Sequence, residues 1–274
     1  MDGEVRLGYI LGDFCIDPQH RSLGLALQLQ RACLDQLGSV PFSIAYDFPS
    51  DRMMAIYRRM QISPSAQMVR WAKPLRADRK IGAFVRYSLL AKLFAYPFNQ
   101  LLKWKDFRSP STGRYTVMNH EGMCGEEFTK LARSIGSRYG SCVERPAEYL
   151  NWRYLQHPVV HHQLLSARHG QELMGYVVFS HTGEDAKIVD LFGFSDTSMW
   201  TALMARVVAL LRACGVITLS MPALAANPWS GLLEKWGFRP RENSPLVVYT
   251  SQTGMEPSQG LPEPWFLMDG DRES

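Results

Sequence analysis

The residues best suited to chemistry lie in one short run, Arg21-Ser22-Leu23-Gly24-Leu25-Ala26. A glycine in the first turn of a helix lets backbone N–H groups approach an anion closely, and the helix N-terminus adds a favourable partial charge. His20 and Arg21 stand beside that turn and can add side-chain donors. The run comes after Asp17-Pro18, which closes an apolar stretch that reads as a strand. The turn therefore falls at the carboxyl edge of a sheet, where such ligands bind in open α/β folds. The chemistry implied is main-chain recognition of a phosphate-type group.

Other reactive side chains point to less. His157, His161, His162 and His169 are near one another in sequence, but no carboxylate sits at ligand spacing among them. The adjacent pair would face opposite sides of a strand, so no metal site is expected. Cys15, Cys33, Cys124, Cys142 and Cys214 are scattered without C-x-x-C spacing, unlike a zinc site or a disulfide framework. Cys15, Cys33 and Cys214 sit inside apolar patterns and are expected to be buried, reduced thiols, which favours a reducing cytosol. The first residues lack a basic region leading into an apolar core. No apolar run reaches the ~18 residues of a membrane span, and a cytoplasmic protein is expected. The net charge is +4, so nothing overall demands a nucleic-acid partner, and none is expected.

Several elements must position the turn. Leu7 to Ile16 reads as a strand, Leu23 to Leu37 as an amphipathic helix stopped near Gly38, and Pro41 to Tyr46 as a strand. Ser50 or Asp51 can cap a helix through Met60, and Gln67 to Trp71 is a strand ending at Pro74. Ile81 to Lys105 has apolar and aromatic residues at helical steps with lysine and arginine between them, a basic amphipathic helix or helix pair. After a linker at 108–113 the pattern resumes. Strands are expected at Tyr115–Met118, His162–Ala167, Leu173–His181, Lys187–Phe194, Val216–Met221 and Leu246–Thr250. Helices are expected at Glu126–Arg138, Ala147–Leu155, Met199–Cys214 and Trp229–Trp236. The order repeats. Gly12-Asp13-Phe14-Cys15-Ile16 with its next helix, strand and helix matches Val189-Asp190-Leu191-Phe192-Gly193 with its own. The first copy lacks the three strands and two helices that precede this point in the second.

The run Ile16 to Leu27 resembles the acyl-CoA motif of the GNAT (acyl-CoA N-acyltransferase) superfamily, whose core Gln/Arg-x-x-Gly-x-Gly/Ala is met by Arg21, Gly24 and Ala26. Ser50 stands where the family often has asparagine, and Tyr57 matches the family's tyrosine. Met60-Gln61-Ile62 replaces the usual Leu-Gly-Phe. The resemblance implies a mixed-sheet α/β fold, with acetyl-CoA or another acyl-CoA as co-substrate and no metal. It implies that the backbone of Cys15 and Ile16 pairs with the pantetheine arm and that the amides of Ser22, Leu23, Gly24, Leu25, Ala26 and Leu27 hold the pyrophosphate. By the same resemblance Tyr57 is the general acid for the departing thiolate, and Asp13 is the candidate base for the attacking amine. Bland roles stand beside these: Tyr57 as a core residue, Asp13 as a cap or ion-pair partner, His20 as a solvated turn residue.

The second copy has lost the loop. Phe194-Ser195-Asp196-Thr197-Ser198-Met199 contains neither glycine nor a basic residue, and Asp196 would repel a pyrophosphate. Leu233 replaces the tyrosine, while Trp236-Gly237-Phe238 keeps the closing Gly-Phe. Tyr149 to Tyr154 with His157-Pro158, and Trp265-Phe266 with Asp269-Gly270-Asp271, resemble stretches of tandem GNAT-like proteins from bacterial envelope and polysaccharide loci. They read either as docking elements or as helix packing and an ordered tail.

The expected organisation is a partial GNAT-like domain over 1–75 and a basic helical linker over 76–113. A complete but degenerate copy comes next over 114–252, with a tail over 253–274. The expected function is N-acyl transfer to a small-molecule or protein amine. The rival is a non-catalytic acyl-CoA binder or scaffold. A first copy without its leading strands exposes a sheet edge, to be covered by the second domain or by a second chain, as in a homodimer. The basic segment 81–105 can pack on either domain or lie on an anionic membrane surface.

Overall fold

The computed structural model describes residues 5, 7–38, 44–77, 100, 113–250 and 265–272. Apart from Gln100, the basic segment 81–105 lies outside the described residues, and with it the expected membrane contact. Among the described residues no helix is long and apolar enough to cross a membrane.

The first copy contributes β1 (Gly8–Ile10), α1 (Leu23–Gly38), β2 (Ile44–Asp47), α2 (Asp51–Arg59) and β3 (Ala66–Pro74). The second begins with β4 (Thr116–Asn119), α3 (Glu126–Ile135), β5 (Ser141–Cys142) and α4 (Ala147–Leu150), which continues into a π-helical turn over Asn151–Leu155. It goes on with β6 (Gln163–His169), β7 (Glu172–Thr182), β8 (Asp185–Gly193) and α5 (Thr197–Ala213). It closes with β9 (Thr218–Leu224), α6 (Ser230–Lys235), β10 (Arg239–Thr250) and a short β11 (Trp265–Phe266).

Both copies enter one nine-stranded sheet in the order β1-β2-β10-β3-β9-β8-β7-β6-β4. The closing strands are exchanged. β10 of the second copy lies antiparallel to β2 of the first, from Val247 opposite Asp47 to Thr250 opposite Ile44. β3 of the first copy lies antiparallel to β9 of the second, from Met68 opposite Leu224 to Pro74 opposite Thr218. β3 and β10 also pair with each other at the centre. Each half thus supplies a strand to the other's sheet.

The same parallel step occurs twice. Gly8, Tyr9 and Ile10 of β1 face Ile44, Ala45 and Tyr46 of β2. Asp185, Ala186 and Lys187 of β8 face Thr218, Leu219 and Ser220 of β9. These are the strands that the sequence repeat aligns. The parallel pairing ends at Ile10 and at Lys187, with only the Leu11 N–H reaching on to the Tyr46 carbonyl at 2.9 Å, and past these residues a wedge lies between the two strands, no longer paired with each other.

The strand expected from Leu7 to Ile16 is shorter than its apolar pattern suggests, ending at Ile10. β8 is held out to Gly193 by β7 on its other side, whereas β1 is the last strand of the sheet among the described residues. The Leu11 N–H still reaches the Tyr46 carbonyl of β2 at 2.9 Å; past it residues 12–17 leave the sheet, and Asp13 takes a left-handed φ of 51°. Aspartate is among the side chains that tolerate this region.

Two interiors form. Around β6–β9, α3 and α5, Phe128, Val177, Phe179, Leu191, Leu203 and Leu219 build the larger core. Leu34, Met54, Ile56, Tyr57 and Val247 build a smaller one under α1 and α2. Cys15, Cys33 and Cys214 are exposed, against the expectation of burial. Cys15 lies in the segment that left the sheet, Cys33 is on the solvent side of α1, and Cys214 comes after the last turn of α5.

Candidate functional site

The turn is built by short-range capping. The Asp17 carboxylate accepts the Gln19 N–H at 2.8 Å and its carbonyl accepts the His20 N–H at 2.9 Å, closing a 3-10 turn over Pro18–His20. Arg21 Nε donates to the Ile16 carbonyl at 3.1 Å, which folds the arginine back along the end of the extended segment. Leu23 opens α1. Ser22 Oγ accepts the Leu25 N–H at 3.3 Å and the Ser22 carbonyl accepts the Ala26 N–H at 3.1 Å. The earliest helical amides have no acceptor within the helix, and here they lie beside Gly24. A Cβ added at Gly24 would meet nothing within 4 Å among the described residues, so the approach to this turn is open. Ala26 is buried, and Ile16 and Leu27 pack on the smaller core. Cys15 and Leu25 face solvent. Among the described residues the helix end is anchored from below and uncovered above Gly24, a geometry that can cradle an anion.

The other expected residues are arranged differently. Ser50 is the N-cap of α2, its Oγ accepting the Met53 N–H at 3.3 Å. Asp13 is exposed beyond the end of β1. Tyr57 is completely buried; its hydroxyl donates to Asp47 Oδ2 at 2.8 Å and accepts from Gln30 Nε2 at 3.1 Å. Burial first, then the charge and hydrogen bond of Asp47, push the phenol far above its ordinary range, so it stays protonated. Asp47 and Gln30, which hold the Tyr57 hydroxyl, are not singled out by the sequence patterns alone. A signal exists for one of them. Gln30 falls on the stripe of Leu23, Ala26, Leu27, Leu34 and Leu37, and a polar residue in a core stripe implies a buried hydrogen bond.

In the second copy the same places are taken. Asp196 caps α5, its Oδ1 accepting the N–H groups of Ser198 at 2.8 Å and Met199 at 3.2 Å. Tyr115 donates to its other oxygen at 2.7 Å. Partial burial opposes ionisation, but the hydrogen bonds from Ser198 and Tyr115 prevail and lower this carboxyl to about 2. A fixed carboxylate therefore sits where a pyrophosphate would need to be. Leu233 is buried in the place of the tyrosine. Asp190, the counterpart of Asp13, is wholly buried and is held by Arg145 at 3.1 Å.

The histidines have local partners. His157 Nδ1 accepts the Val159 and Val160 N–H groups at 3.2 and 2.9 Å, and His162 Nδ1 lies 3.2 Å from the Tyr154 carbonyl. Burial lowers the His162 pKa.

No family model and no curated protein matches the sequence. Solved structures do match the fold. A GCN5-related N-acetyltransferase from Anabaena variabilis aligns with a TM-score of 0.58 at 12% identity, over 86% of this chain and 53% of its own. A protein from Enterococcus faecalis, described as a probable N-acyltransferase, aligns with a TM-score of 0.57 at 12% identity, over 88% and 54%. A tandem GNAT protein from the clavulanic acid biosynthesis pathway aligns with a TM-score of 0.53 at 13% identity, over 88% and 74%. This chain spans about half the length of the first two. Likeness at these identities concerns the backbone. With its large mixed sheet, its repeated parallel step and its flanking helices, the chain has the α/β fold of the GNAT superfamily.

Proposed function

We propose that the chain binds acetyl-CoA or another acyl-CoA at the Asp17–Leu27 turn and transfers the acyl group to a small-molecule or protein amine. The observation that carries this reading is the start of α1, uncovered above Gly24 among the described residues and reached from the end of β1. The amides of the first turn would hold the pyrophosphate, with Arg21 beside them. Residues 12–16, past the last bond to β2, offer backbone groups to the pantetheine arm. A bound amine attacks the thioester carbonyl, the thiolate leaves, and no covalent enzyme intermediate is required. Asp13 stands on the exposed segment as the base of this scheme, and Tyr57 is its proton donor.

A second reading, acyl-CoA binding without turnover, is favoured by one observation. The Tyr57 hydroxyl is sealed in the core and already donates to Asp47. To protonate a thiolate it would have to exchange that partner.

Thermal melting tests the binding that both readings share, and thiol release separates them. Acetyl-CoA raises the melting temperature of the purified chain, since a ligand at about 100 times its Kd stabilises by roughly 2.7 kcal/mol. Gly24→Asp removes the shift and leaves the unliganded melting point in place. Absence of any shift at millimolar acetyl-CoA overturns the proposal. A shift with no thiol release across a panel of amines selects the second reading.

A further inference from the structure

The second wedge is not empty. The segment Trp265–Arg272 runs into it and holds both sides. On the β9 side, Met268 forms an antiparallel bridge with Ala223. On the β8 side, Arg145 joins Asp190 at 3.1 Å to the Asp271 carboxylate at 2.6 Å, with all three side chains wholly buried. Lys187, the last β8 residue paired to β9, meets Asp269 at 2.9 Å. The apolar residues alternate. Phe266 and Met268 enter the larger core. Trp265 and Leu267 join Tyr46 and Leu246 in a cluster that spans the junction of the copies. The segment also reaches the first copy: Tyr46 Oη donates to the Asp271 carbonyl at 2.9 Å.

A wedge between diverging strands carries backbone groups without ladder partners, and buried groups of that kind need satisfying. Among the described residues, the first wedge lies beside an exposed segment and an open helix end. The second is occupied by eight residues from the same chain, held by ion pairs, one backbone bridge and packed aromatic rings. The structure assigns Trp265–Arg272 the role of a resident ligand of the second wedge, closing it to any acyl-thioester and leaving the first, among the described residues, as the wedge that can accept a ligand. Only the part that concerns acyl-CoA rests on the function proposed above. The occupation of the wedge by the tail stands apart from it.

Hydrogen exchange on the full-length chain tests this. The amides of Phe266 to Asp271 are expected to exchange as slowly as those of β8 and β9. Arg145→Met speeds exchange in the tail by at least about tenfold, the scale of a lost charge-assisted hydrogen bond, while β7 stays protected. If Arg145→Met does not fold, Lys187→Ala replaces it: removal of a half-exposed ion pair speeds tail exchange by about two- to threefold. Coenzyme A is expected to slow exchange within 11–27 and to leave 188–193 and 221–224 unchanged.

Three results overturn the assignment: a wild-type tail that exchanges like a free peptide, a folded variant whose tail exchange is unchanged, or coenzyme A protecting 188–193 while the tail loses protection. A chain that binds no coenzyme A anywhere removes the proposed function and leaves the tail measurement to stand or fall by itself.

Discussion

Ile10 and Lys187 hold equivalent places: each is the last residue paired to the neighbouring parallel strand before a wedge opens. Their surroundings differ. Past Ile10 the chain is exposed, and it turns into a helix whose start is open above Gly24. Past Lys187 the strand is held by β7, the next helix is capped by Asp196, and the wedge is packed with the chain's own tail. A shared backbone step therefore does not make a site. Openness at the helix end and room in the wedge are separate properties. Among the described residues one copy has both, and the other has neither.

The largest contrast between the two copies is expected at Arg145. Replacing it with alanine strands the Asp190 and Asp271 carboxylates in the interior, at a cost of about 3–5 kcal/mol. Urea denaturation should show this loss. A loss below the ~1 kcal/mol of an exposed pair would mean that the tail does not seal the second wedge. Next comes a pair of glycines. A Cβ at Gly193 would stand 2.5 Å from Gly175 Cα and 2.7 Å from the Met174 carbonyl, both backbone atoms, whereas one at Gly24 meets nothing within 4 Å. Gly193→Ala should destabilise by about 1–3 kcal/mol or more. Gly24→Ala should leave stability within about 0.5 kcal/mol, and equal effects in denaturation would erase the distinction between closed and open turns.

Tyr57→Phe bears on catalysis in the open copy. It leaves Asp47 and Gln30 each short of a buried partner, a cost of about 1–3 kcal/mol. If the tyrosine is only structural, residual thiol release per folded molecule stays unchanged. If it is the proton donor, turnover falls while acetyl-CoA binding persists.

The smallest effect separates the two helix starts. Ser22→Ala and Asp196→Ala should each cost about 1 kcal/mol as lost caps, but only the second should be pH-dependent. The Asp196 carboxyl is lowered from its usual value of 3.8 to about 2. Its stabilising contribution is therefore complete above the unfolded-state pKa and is lost as pH falls from about 4 through about 2. Wild type and Asp196→Ala should converge in stability across that window. A constant gap would assign the effect to packing.

Much of the first copy is legible in the sequence because its signals are local. Ser50 caps α2 and the Arg21–Ala26 run sits at a helix start, each within one turn of the residue that signals it. The repeat is also legible. Its alignment of residues 12–16 with 189–193 carries over to the two parallel steps. The exchange of β3 and β10 is not, because pairing between residues far apart in sequence leaves no local pattern. The length of β1 escapes for a related reason: apolar residues announce a strand, but a ladder partner decides how far it runs. The three exposed cysteines mislead in the same way, since an apolar neighbourhood in sequence does not say which face meets a core.

Propensity, capping and periodicity act over a few residues. They suffice for most element types and for the repeated order of elements, and they carry the expectation of an anion-binding turn in the first copy and none in the second. They do not reach the sealing of Tyr57 against Asp47, the single sheet built from exchanged strands, or the tail that fills the second wedge. Those outcomes belong to the folded molecule. They rest on burial and pairing between distant segments, where the free energy resides in the contact and not in either segment separately.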